Sequence, residues 1–490
     1  MAQAAGSTPN ETEKPDKPQP ADELVTTSHR IETAGGPLDY TATTGRIVIR
    51  EEQLTDGAFG GHQPTIEMFV TSYTVPDADP ATRPVTFCFN GGPGSSSVWL
   101  HLGLFGPRRV LSGDVDDRAR PPFRLADNAE TLLQQTDLVF IDPMSTGYTR
   151  PVDGGKPDSY HGFKGDRDAV AELIRLWTTR NNRWLSPKFL AGESYGTLRA
   201  AALAAYLNDR TGLALNGIML ISAVLDMGTV VFTPGNDEPY VHYLPTYAAL
   251  AHYHGLHSDR PLEEVVADAT TFADRDYRWA LSRGSRLSAA ERTEIAERVA
   301  ALTGLSPDYV RRADLRIEHQ HFFAELLRDR GLAVGRLDGR FTAAPRDRNA
   351  ATIEVDASYS HIQAPYTAAV NHYLRAELEY ANDLHYEIIT DKVHPWSYAE
   401  FENRSVNVVD DLASAMRTNP SLKVYVAFGY HDGATPFAAA EHTLAALNIP
   451  EELQGNISRS YFPAGHMMYV HEPSRIRQSA ELAEFLAAAS

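Results

Sequence analysis

Residues Lys188–Ala201 read K-F-L-A-G-E-S-Y-G-T-L-R-A-A, and this stretch decides the fold. The short apolar run 189–191 leads into the pattern G-x-S-x-G at 192–196, and Ala-rich sequence of helical character follows through Leu207. An apolar run, a tight glycine turn and a helix together form the bend that lifts a serine hydroxyl out of the backbone. The pattern therefore makes Ser194 the candidate nucleophile.

The composition is that of an ordinary globular chain. It has 490 residues, of which 43% are hydrophobic and 22% charged, which is enough for a large core. The formal net charge of −19 argues against nucleic acid and anionic membranes as partners. The single cysteine, Cys88, excludes an intramolecular disulfide, and its apolar neighbours predict a small buried core residue.

The sequence also makes predictions about location and assembly. Residues 1–22 contain no apolar signal segment, and no later run is long enough to span a membrane. The expected location is therefore cytoplasmic, unless a leader was removed. The sequence leaves the oligomeric state open, a homodimer included.

Changes of character along the chain predict four segments. Residues 1–22, rich in Pro, Glu and Lys, predict a disordered tail. Residues 23–231 and 396–490 alternate buried strands with helices, which predicts the two parts of an α/β-hydrolase core with a mostly parallel central sheet and helices on both faces. Residues 232–395 are charged and helical, with a capping box S-A-A-E at 288–291, and predict a large, mainly helical cap insertion that shapes the substrate pocket.

Periodicity predicts the individual elements. Alternating stretches within 28–50 and 65–75 predict antiparallel strands that open the sheet. Apolar runs predict further strands at 85–89, 136–142, 217–222, 422–428 and 458–462. Helical spacing predicts helices at 168–179, 438–447 and 481–488.

A glycine-rich loop, N-G-G-P-G-S-S-S at Asn90–Ser97, follows the strand predicted at 85–89. Phosphate binding is disfavoured because no lysine stands in the Walker position and the spacing G-x-G-x-x-G is missing. An α/β-hydrolase needs a glycine-rich loop at this point, because the loop supplies one oxyanion-hole N–H and the residue after the nucleophile supplies the other.

A serine hydroxyl becomes a nucleophile when a histidine takes its proton and a carboxylate holds that histidine. In α/β-hydrolases these groups occur in the chain order Ser, Asp or Glu, His, each after a strand. Ser194, Asp432 and His466 occur in that order, and each lies just past the end of a predicted strand. They are the candidate catalytic residues.

Three other residues compete for these roles. Asp226 follows the strand after the elbow and is kept as an alternative to Asp432. Asp142 also follows a strand, but it precedes the nucleophile, so a role in a local turn is expected. His471 lies beyond the Gly-His turn that contains His466.

Loosely spaced histidines in the insertion resemble a metal site only superficially. Without a cysteine partner or an H-E-x-x-H pattern, they are expected to be cap or surface residues, and the sequence predicts no metal and no cofactor. These histidines are His252, His254, His257, His319 and His321.

Taken together, the motifs resemble those of the serine carboxypeptidase family. The likeness covers roughly residues 60–230 and 365–480, and it is loose in the cap. The motifs that carry it are N-G-G-P-G-S-S at 90–96, G-E-S-Y-G at 192–196, G-Y-H-D-G at 429–433 and A-G-H-M at 464–467.

The resemblance implies a role for each matching residue. It implies a triad of Ser194, Asp432 and His466, and an oxyanion hole formed by the backbone N–H groups of Gly92 and Tyr195. It further implies that the free C-terminal carboxylate of a peptide binds to Asn90, Gly91 and Glu193.

The carboxylate role of Glu193 requires a particular protonation state. A protonated Glu193 can donate a hydrogen bond to the substrate carboxylate, whereas an ionised one would repel it, so activity should favour mildly acidic pH. Many members of the family carry a glutamate pair before a Gly-Pro downstream of the glycine-rich loop. Here the corresponding stretch, 102–107, reads L-G-L-F-G-P and contains no acid.

The implied activity is that of a serine-type carboxypeptidase, which releases the C-terminal amino acid from peptides through an acyl-enzyme on Ser194. Its partners would be peptide substrates with a free C-terminus, and it would require no metal or cofactor. An esterase or acyltransferase on the same scaffold is the alternative, because a fold does not fix the acyl acceptor. A non-catalytic protein with a peptide groove under the cap is a further alternative.

Overall fold

The structure is a computed structural model that describes residues 19–257 and 259–490. Its strands, numbered in chain order, are β1 (Glu23–Thr33), β2 (Gly36–Thr55), β3 (Ala58–Thr74), β4 (Val85–Phe89), β5 (Arg108–Val110), β6 (Leu125–Asp127), β7 (Asp137–Ile141), β8 (Arg150–Pro151), β9 (Lys188–Glu193), β10 (Gly217–Ile221), β11 (Ala333–Val334), β12 (Thr342–Ala343), β13 (Lys423–Gly429) and β14 (Ile457–Phe462).

The α-helices are α1 (Val98–Leu100), α2 (Phe163–Arg180), α3 (Tyr195–Thr211), α4 (Glu238–Tyr253), α5 (Leu262–Phe272), α6 (Arg278–Arg283), α7 (Ala289–Thr303), α8 (Pro307–Arg312), α9 (His319–Glu325), α10 (Ala357–His372), α11 (Val409–Thr418), α12 (Phe437–Ala445), α13 (Glu451–Gln454) and α14 (Glu472–Ala489). Among residues 19–257 and 259–490, none of the helices combines the length and the apolar character that a membrane crossing requires.

The sequence-based prediction of a disordered tail lies outside the described residues for positions 1–18. Where the description begins, Asp22 accepts a hydrogen bond from the N–H of Val48 at 3.0 Å and pairs with Arg180 at 2.6 Å. Arg50 donates to the carbonyl of Pro20 at 2.7 Å. These contacts attach the start of the described chain to β2 and α2.

One mixed sheet forms the centre of the molecule, in the strand order β1-β2-β3-β7-β4-β9-β10-β13-β14, with β8 paired to β3. β1, β2, β3 and β7 pair antiparallel along this order, and every pair from β7 to β14 is parallel. The mostly parallel sheet and its antiparallel opening strands confirm the predicted fold class. From β4 the chain forms β7 on one side and then β9 on the other, and such a reversal of strand order is where α/β sheets open a ligand crevice.

The central strands are buried on both faces. In β4, Phe87 belongs to the hydrophobic core that contains α2 and α3, and Cys88 belongs to the core that contains α14. Leu190 and Phe189 of β9 divide in the same way, and all four side chains are fully buried. Because successive strand residues point to opposite faces, such strands require apolar residues at every position and give continuous apolar runs. The buried position predicted for Cys88 is confirmed.

The long connection between β10 and β13 contains helices α4 to α11 and the β11–β12 hairpin. Helices α4 to α10 lie within residues 232–395, and α4 packs on α12, α5 and α7. The predicted capping box is confirmed, because Ser288 and Glu291 exchange hydrogen bonds at the start of α7. The stretch 331–356, irregular by sequence, contains the short β11–β12 hairpin.

The last helix begins at Glu472, earlier than the start predicted at Glu481. Its first half buries polar side chains, including Arg475 and Gln478, so no apolar stripe marks it in the sequence.

A buried arginine lies directly beneath the bend between β9 and α3. The side chain of Arg199 donates to both carboxylate oxygens of Asp166 on α2, at 2.7 and 3.1 Å, and to the carbonyl of Asn90 at 2.7 Å. Arg199 and Asp166 are 1% and 2% exposed. The pair therefore joins α3, α2 and the end of β4 away from water.

We expect Asp166→Asn to lower the free energy of unfolding by about 3–5 kcal/mol, because it leaves the Arg199 charge buried without a counterion. Asp168→Asn on the same helix is the matched control. Its partners are Lys164, which is largely exposed, and the neighbouring Arg167, which is partly exposed, so the control should lose less than about 1 kcal/mol. Equilibrium urea unfolding measures both variants, and similar losses in the two would contradict the importance of the buried pair.

Candidate active site

Ser194 lies at the bend between β9 and α3, as the sequence predicts. Its backbone has φ 60° and ψ −129°, a strained conformation for a residue with a side chain. The bend is tight enough that a Cβ on Gly192 would lie 2.2 Å from the carbonyl oxygen of Gly196. Glycine at this position lets the strand and the helix approach closely and leaves Ser194 partly exposed.

His466 and Asp432 are directly hydrogen-bonded. Each follows a strand, β14 and β13 respectively, and His466 Nδ1 lies 2.8 Å from Asp432 Oδ2. Asp432 also accepts hydrogen bonds from the N–H groups of Ala434 and Thr435, at 2.8 and 2.9 Å, and from the Thr435 hydroxyl at 2.7 Å. A carboxylate held in this way fixes the proton of His466 on Nδ1 and leaves Nε2 as an acceptor.

The charge of Asp432 also controls how His466 titrates. Burial alone would lower the pKa of His466, but the carboxylate of Asp432 and its hydrogen bond outweigh burial and raise the pKa above its ordinary value. The nearby carboxyl of Glu193 acts in the same direction. His466 is therefore a base whose protonated form is stabilised.

A cavity of about 460 Å³ brings the sequence-predicted residues together. Asp432 and Tyr195 do not line the cavity. Asp432 is hydrogen-bonded to His466, and Tyr195 is the first residue of α3, directly after Ser194. The predicted residues that do line the cavity are Ser194, His466, Asn90, Gly91, Gly92 and Glu193.

Two backbone N–H groups beside Ser194 are free to bind a ligand. Within the described part of the chain, neither Gly92 nor Tyr195 donates its backbone N–H to a protein acceptor. Asp142 fixes the end of the glycine-rich loop, because its carboxylate accepts hydrogen bonds from the N–H and the hydroxyl of Ser97 at 2.8 and 2.7 Å.

The competing residues have other local partners. Asp226 accepts hydrogen bonds from Gly228 at 2.8 Å and from Asn407 at 2.6 Å, and it caps a turn after β10. His471 bonds to Ser474 at 2.7 Å at the start of α14. Neither residue lines the cavity that contains Ser194.

Glu193 is buried next to the nucleophile position and holds two hydrogen bonds. Asn90 donates to one carboxyl oxygen at 2.8 Å, and the Tyr469 hydroxyl donates to the other at 2.7 Å. Burial raises the pKa of Glu193 to about 7, although both hydrogen bonds and the charge of His466 act to lower it. The group therefore changes charge near neutral pH.

Tyr469, which no sequence pattern indicates, packs against Gly103 in the acid-free stretch 102–107. A Cβ on Gly103 would lie 2.4 Å from the ring of Tyr469 and 2.6 Å from the hydroxyl of Tyr366. Gly103 therefore makes room for two tyrosines beside Glu193. The only sequence signal was the glycine itself, because Tyr469 lies in a turn after His466 that shows no periodicity.

The loop at residues 337–339 also contacts the loops that carry His466 and Asp432. Leu337 accepts the N–H of His466 at 2.6 Å, and Asp338 accepts the N–H of Gly465 at 3.2 Å. Gly339 donates its N–H to the carbonyl of His431 at 3.0 Å. The position of the histidine and aspartate loops thus depends on a segment that the sequence showed only as irregular.

The cap histidines make local hydrogen bonds. His252, His254 and His257 each bond through Nε2 to a backbone carbonyl, at 2.7, 2.8 and 2.9 Å.

The described residues do bring three possible metal ligands within 4.8 Å of one another outside the cavity, namely Glu238, His242 and His442. In that cluster Glu238 already bonds to His242 and to Arg278, which makes it an ion-pair network as it stands.

A family model and a curated relative match parts of this chain. A family model described as serine carboxypeptidase matches residues 62–467. The serine carboxypeptidase-like 33 protein of Arabidopsis thaliana is 24% identical over 180 residues, which are 36% of this chain and 35% of that protein. The chain thus matches about a third of the length of this relative.

Solved structures that match the chain include a haloalkane dehalogenase variant from Bradyrhizobium elkanii, at 12% identity over 95% of this chain and 98% of the other, with a TM-score of 0.34. They also include the proline iminopeptidase of Mycobacterium smegmatis, at 14% identity over 87% and 97%, with a TM-score of 0.34. TM-scores of this size do not by themselves establish a fold, so the assignment rests on the sheet and on the family match. Since that match extends over well more than half of the sequence, the chain belongs to the serine carboxypeptidase family.

Proposed function

We propose that this serine carboxypeptidase-like hydrolase releases the C-terminal amino acid from peptides through an acyl-enzyme on Ser194. The observation that carries the proposal is that one cavity is lined by Ser194, by His466 and by the hydrogen-bonded pair of Asn90 and Glu193. The first two residues supply acyl-transfer chemistry. The pair supplies a recognition site for a carboxylate, which a neutral ester would not need.

Each residue of the proposed active site has one role in the reaction. Ser194 attacks the carbonyl carbon of the last peptide bond while His466 takes its proton, and Asp432 stabilises the imidazolium that forms. The N–H groups of Gly92 and Tyr195 bind the oxyanion of the tetrahedral intermediate. His466 gives the proton to the leaving amine, and a water activated by His466 then hydrolyses the acyl-enzyme.

Glu193 makes the reaction selective for a free C-terminus. Below pH 7 its carboxyl is mostly protonated, because its pKa is raised to about 7, and it donates a hydrogen bond to the substrate carboxylate. Above that pH it ionises and repels the same group. The state that works therefore has a neutral His466 and a protonated Glu193, two groups that influence each other's titration.

We expect Ser194→Ala to lower kcat by about a million-fold, the loss found when a triad nucleophile is removed. It should also abolish labelling by a fluorophosphonate, with the modified residue identified by mass spectrometry. Ser95→Ala is the matched control, because Ser95 lines the same cavity but should not be labelled. Unchanged turnover in Ser194→Ala would refute the mechanism, and no labelling of the wild type would favour a non-catalytic peptide-binding protein.

We expect an N-blocked dipeptide with a free carboxylate to be hydrolysed better than its C-terminal amide, with a bell-shaped dependence of kcat/KM on pH. Activity should rise as His466 loses its proton and fall as Glu193 ionises near pH 7. Glu193→Gln cannot ionise, so the fall should disappear in that variant.

The controls for this experiment are the dipeptide amide and an aryl ester, neither of which should show the fall that depends on Glu193. Better turnover of the ester, with no use of the free acid, would instead support the esterase or acyltransferase alternative.

We expect Tyr469→Phe to move the alkaline fall to higher pH by about one unit. It removes a hydrogen bond to the ionised form of Glu193, and such bonds contribute about 1.5–3 kcal/mol, where 1.36 kcal/mol corresponds to one pH unit. Tyr366→Phe is the matched control, since Tyr366 contacts the same glycine position but donates no hydrogen bond to Glu193. A fall at the same pH in Tyr469→Phe would show that Glu193 does not control it.

A further inference from the structure

The cavity contains an arginine that the proposed reaction does not use. Arg336 lines the cavity and is partly buried, and it follows the β11–β12 hairpin's first strand in the insertion. Its backbone N–H donates to Asp356 at 3.0 Å. Within the described residues, its guanidinium has neither a carboxylate partner nor a hydrogen-bond acceptor.

Asp356, the carboxylate that accepts the Arg336 backbone N–H, already has several hydrogen-bond donors. Asp356 accepts hydrogen bonds from the backbone of Arg336 and Leu337, at 3.0 and 3.1 Å, and from the N–H of Ser358 at 3.0 Å. It therefore serves as the cap of α10 and as a brace for the loop. The positive charge of Arg336 is left to face the cavity.

Arg336 lies on the side of the cavity that holds His466. The next residue, Leu337, accepts the N–H of His466 at 2.6 Å, and the charge of Arg336 is one of the influences that lower the pKa of His466. Because His466 must protonate the leaving amine, the leaving amino acid lies against this side. A group of the insertion placed here can contact the side chain of that amino acid.

The other charged groups of the cavity lie elsewhere. Asp391 and His394 belong to a segment that pairs with the glycine-rich loop, where Thr390 donates to Gly94 at 2.9 Å. That loop follows β4, whereas His466 follows β14, and β9, β10 and β13 lie between these strands in the sheet. Glu193 is occupied by Asn90 and Tyr469 and is proposed to bind the terminal carboxylate.

We infer that Arg336 binds a carboxylate on the side chain of the leaving residue, so that the enzyme prefers peptides that end in glutamate or aspartate. The inference rests on the proposed carboxypeptidase function and adds a substrate class to it. A guanidinium recognises a carboxylate with two parallel hydrogen bonds, which a neutral amide of the same shape cannot match.

The test compares kcat/KM for four N-blocked dipeptides with the same penultimate residue and C-terminal Glu, Gln, Leu or Lys. In the wild type we expect Glu to exceed Gln by about ten- to a hundredfold, as for a hydrogen-bonded ion pair. In Arg336→Gln the ratio should fall towards one, and in Arg336→Glu the preference should pass to the Lys-ended peptide. Arg346→Gln is the control, because Arg346 is an exposed arginine of the same stretch outside the cavity and should leave the ratio unchanged.

Three results would overturn the inference. A Glu-to-Gln ratio near one in the wild type would show that no such recognition exists. An equal loss on all four peptides in Arg336→Gln, without a change in their ratios, would show that Arg336 binds the terminal carboxylate instead. If a fluorophosphonate labels Ser194 and the ester is hydrolysed but none of the peptides is, the proposed function fails, and the inference fails with it.

Discussion

The guanidinium of Arg199 is the constraint on which the geometry of the site depends. It bonds to Asp166 on α2 and to the carbonyl of Asn90, and it lies over the rings of Phe89 and Tyr195 at 5.2 and 5.4 Å. Asn90, whose carbonyl accepts the hydrogen bond from Arg199, is the first residue of the glycine-rich loop. Ser194 lies about one helical turn before Arg199, at the start of the same helix. One buried cation therefore sets the distance between the glycine-rich loop that contains Gly92 and the bend that leads into Tyr195.

The positions of His466 and Asp432 depend on the loop at residues 337–339. His466 and Asp432 come from loops after β14 and β13, and the loop at Leu337 and Asp338 is hydrogen-bonded to their backbone. Asp338 is itself buried and paired with Arg340. The same loop that supports His466 thus carries Arg336 into the cavity, so the position of His466 and the positive charge beside it depend on one segment. A change of sequence in this segment would affect both properties together.

The sequence predicted those parts of the fold and the site that depend on local pattern. The strand at 85–89 and the bend at Ser194 could be found because burial on both faces and a tight turn each demand particular residue types in a row. The order of Ser194, Asp432 and His466 could be recognised because each follows a strand in the same sheet.

The parts that could not be predicted depend on contacts between distant positions. Tyr469 is 276 residues from Glu193 in the sequence but donates a hydrogen bond to it. Only the structure shows that Tyr469 packs against Gly103. Leu337 supports His466 through a backbone carbonyl, which any residue type could provide. The early start of α14 was hidden because Arg475 and other polar residues face inward there.

The Tyr469 hydroxyl, which donates a hydrogen bond to Glu193, determines how many groups titrate at this position. Two carboxyl groups that face each other share a proton and titrate as a couple, so their combined charge varies over a wide range of acidity. Burial raises the pKa of Tyr469 well above its usual value, so this partner keeps its proton under all ordinary conditions. Glu193 and Tyr469 therefore contribute one titrating group instead of two. A second carboxyl in this place would raise the pKa of Glu193, whereas the Tyr469 hydroxyl stabilises the ionised form, so Glu193 releases its proton at a lower pH than it would beside another acid.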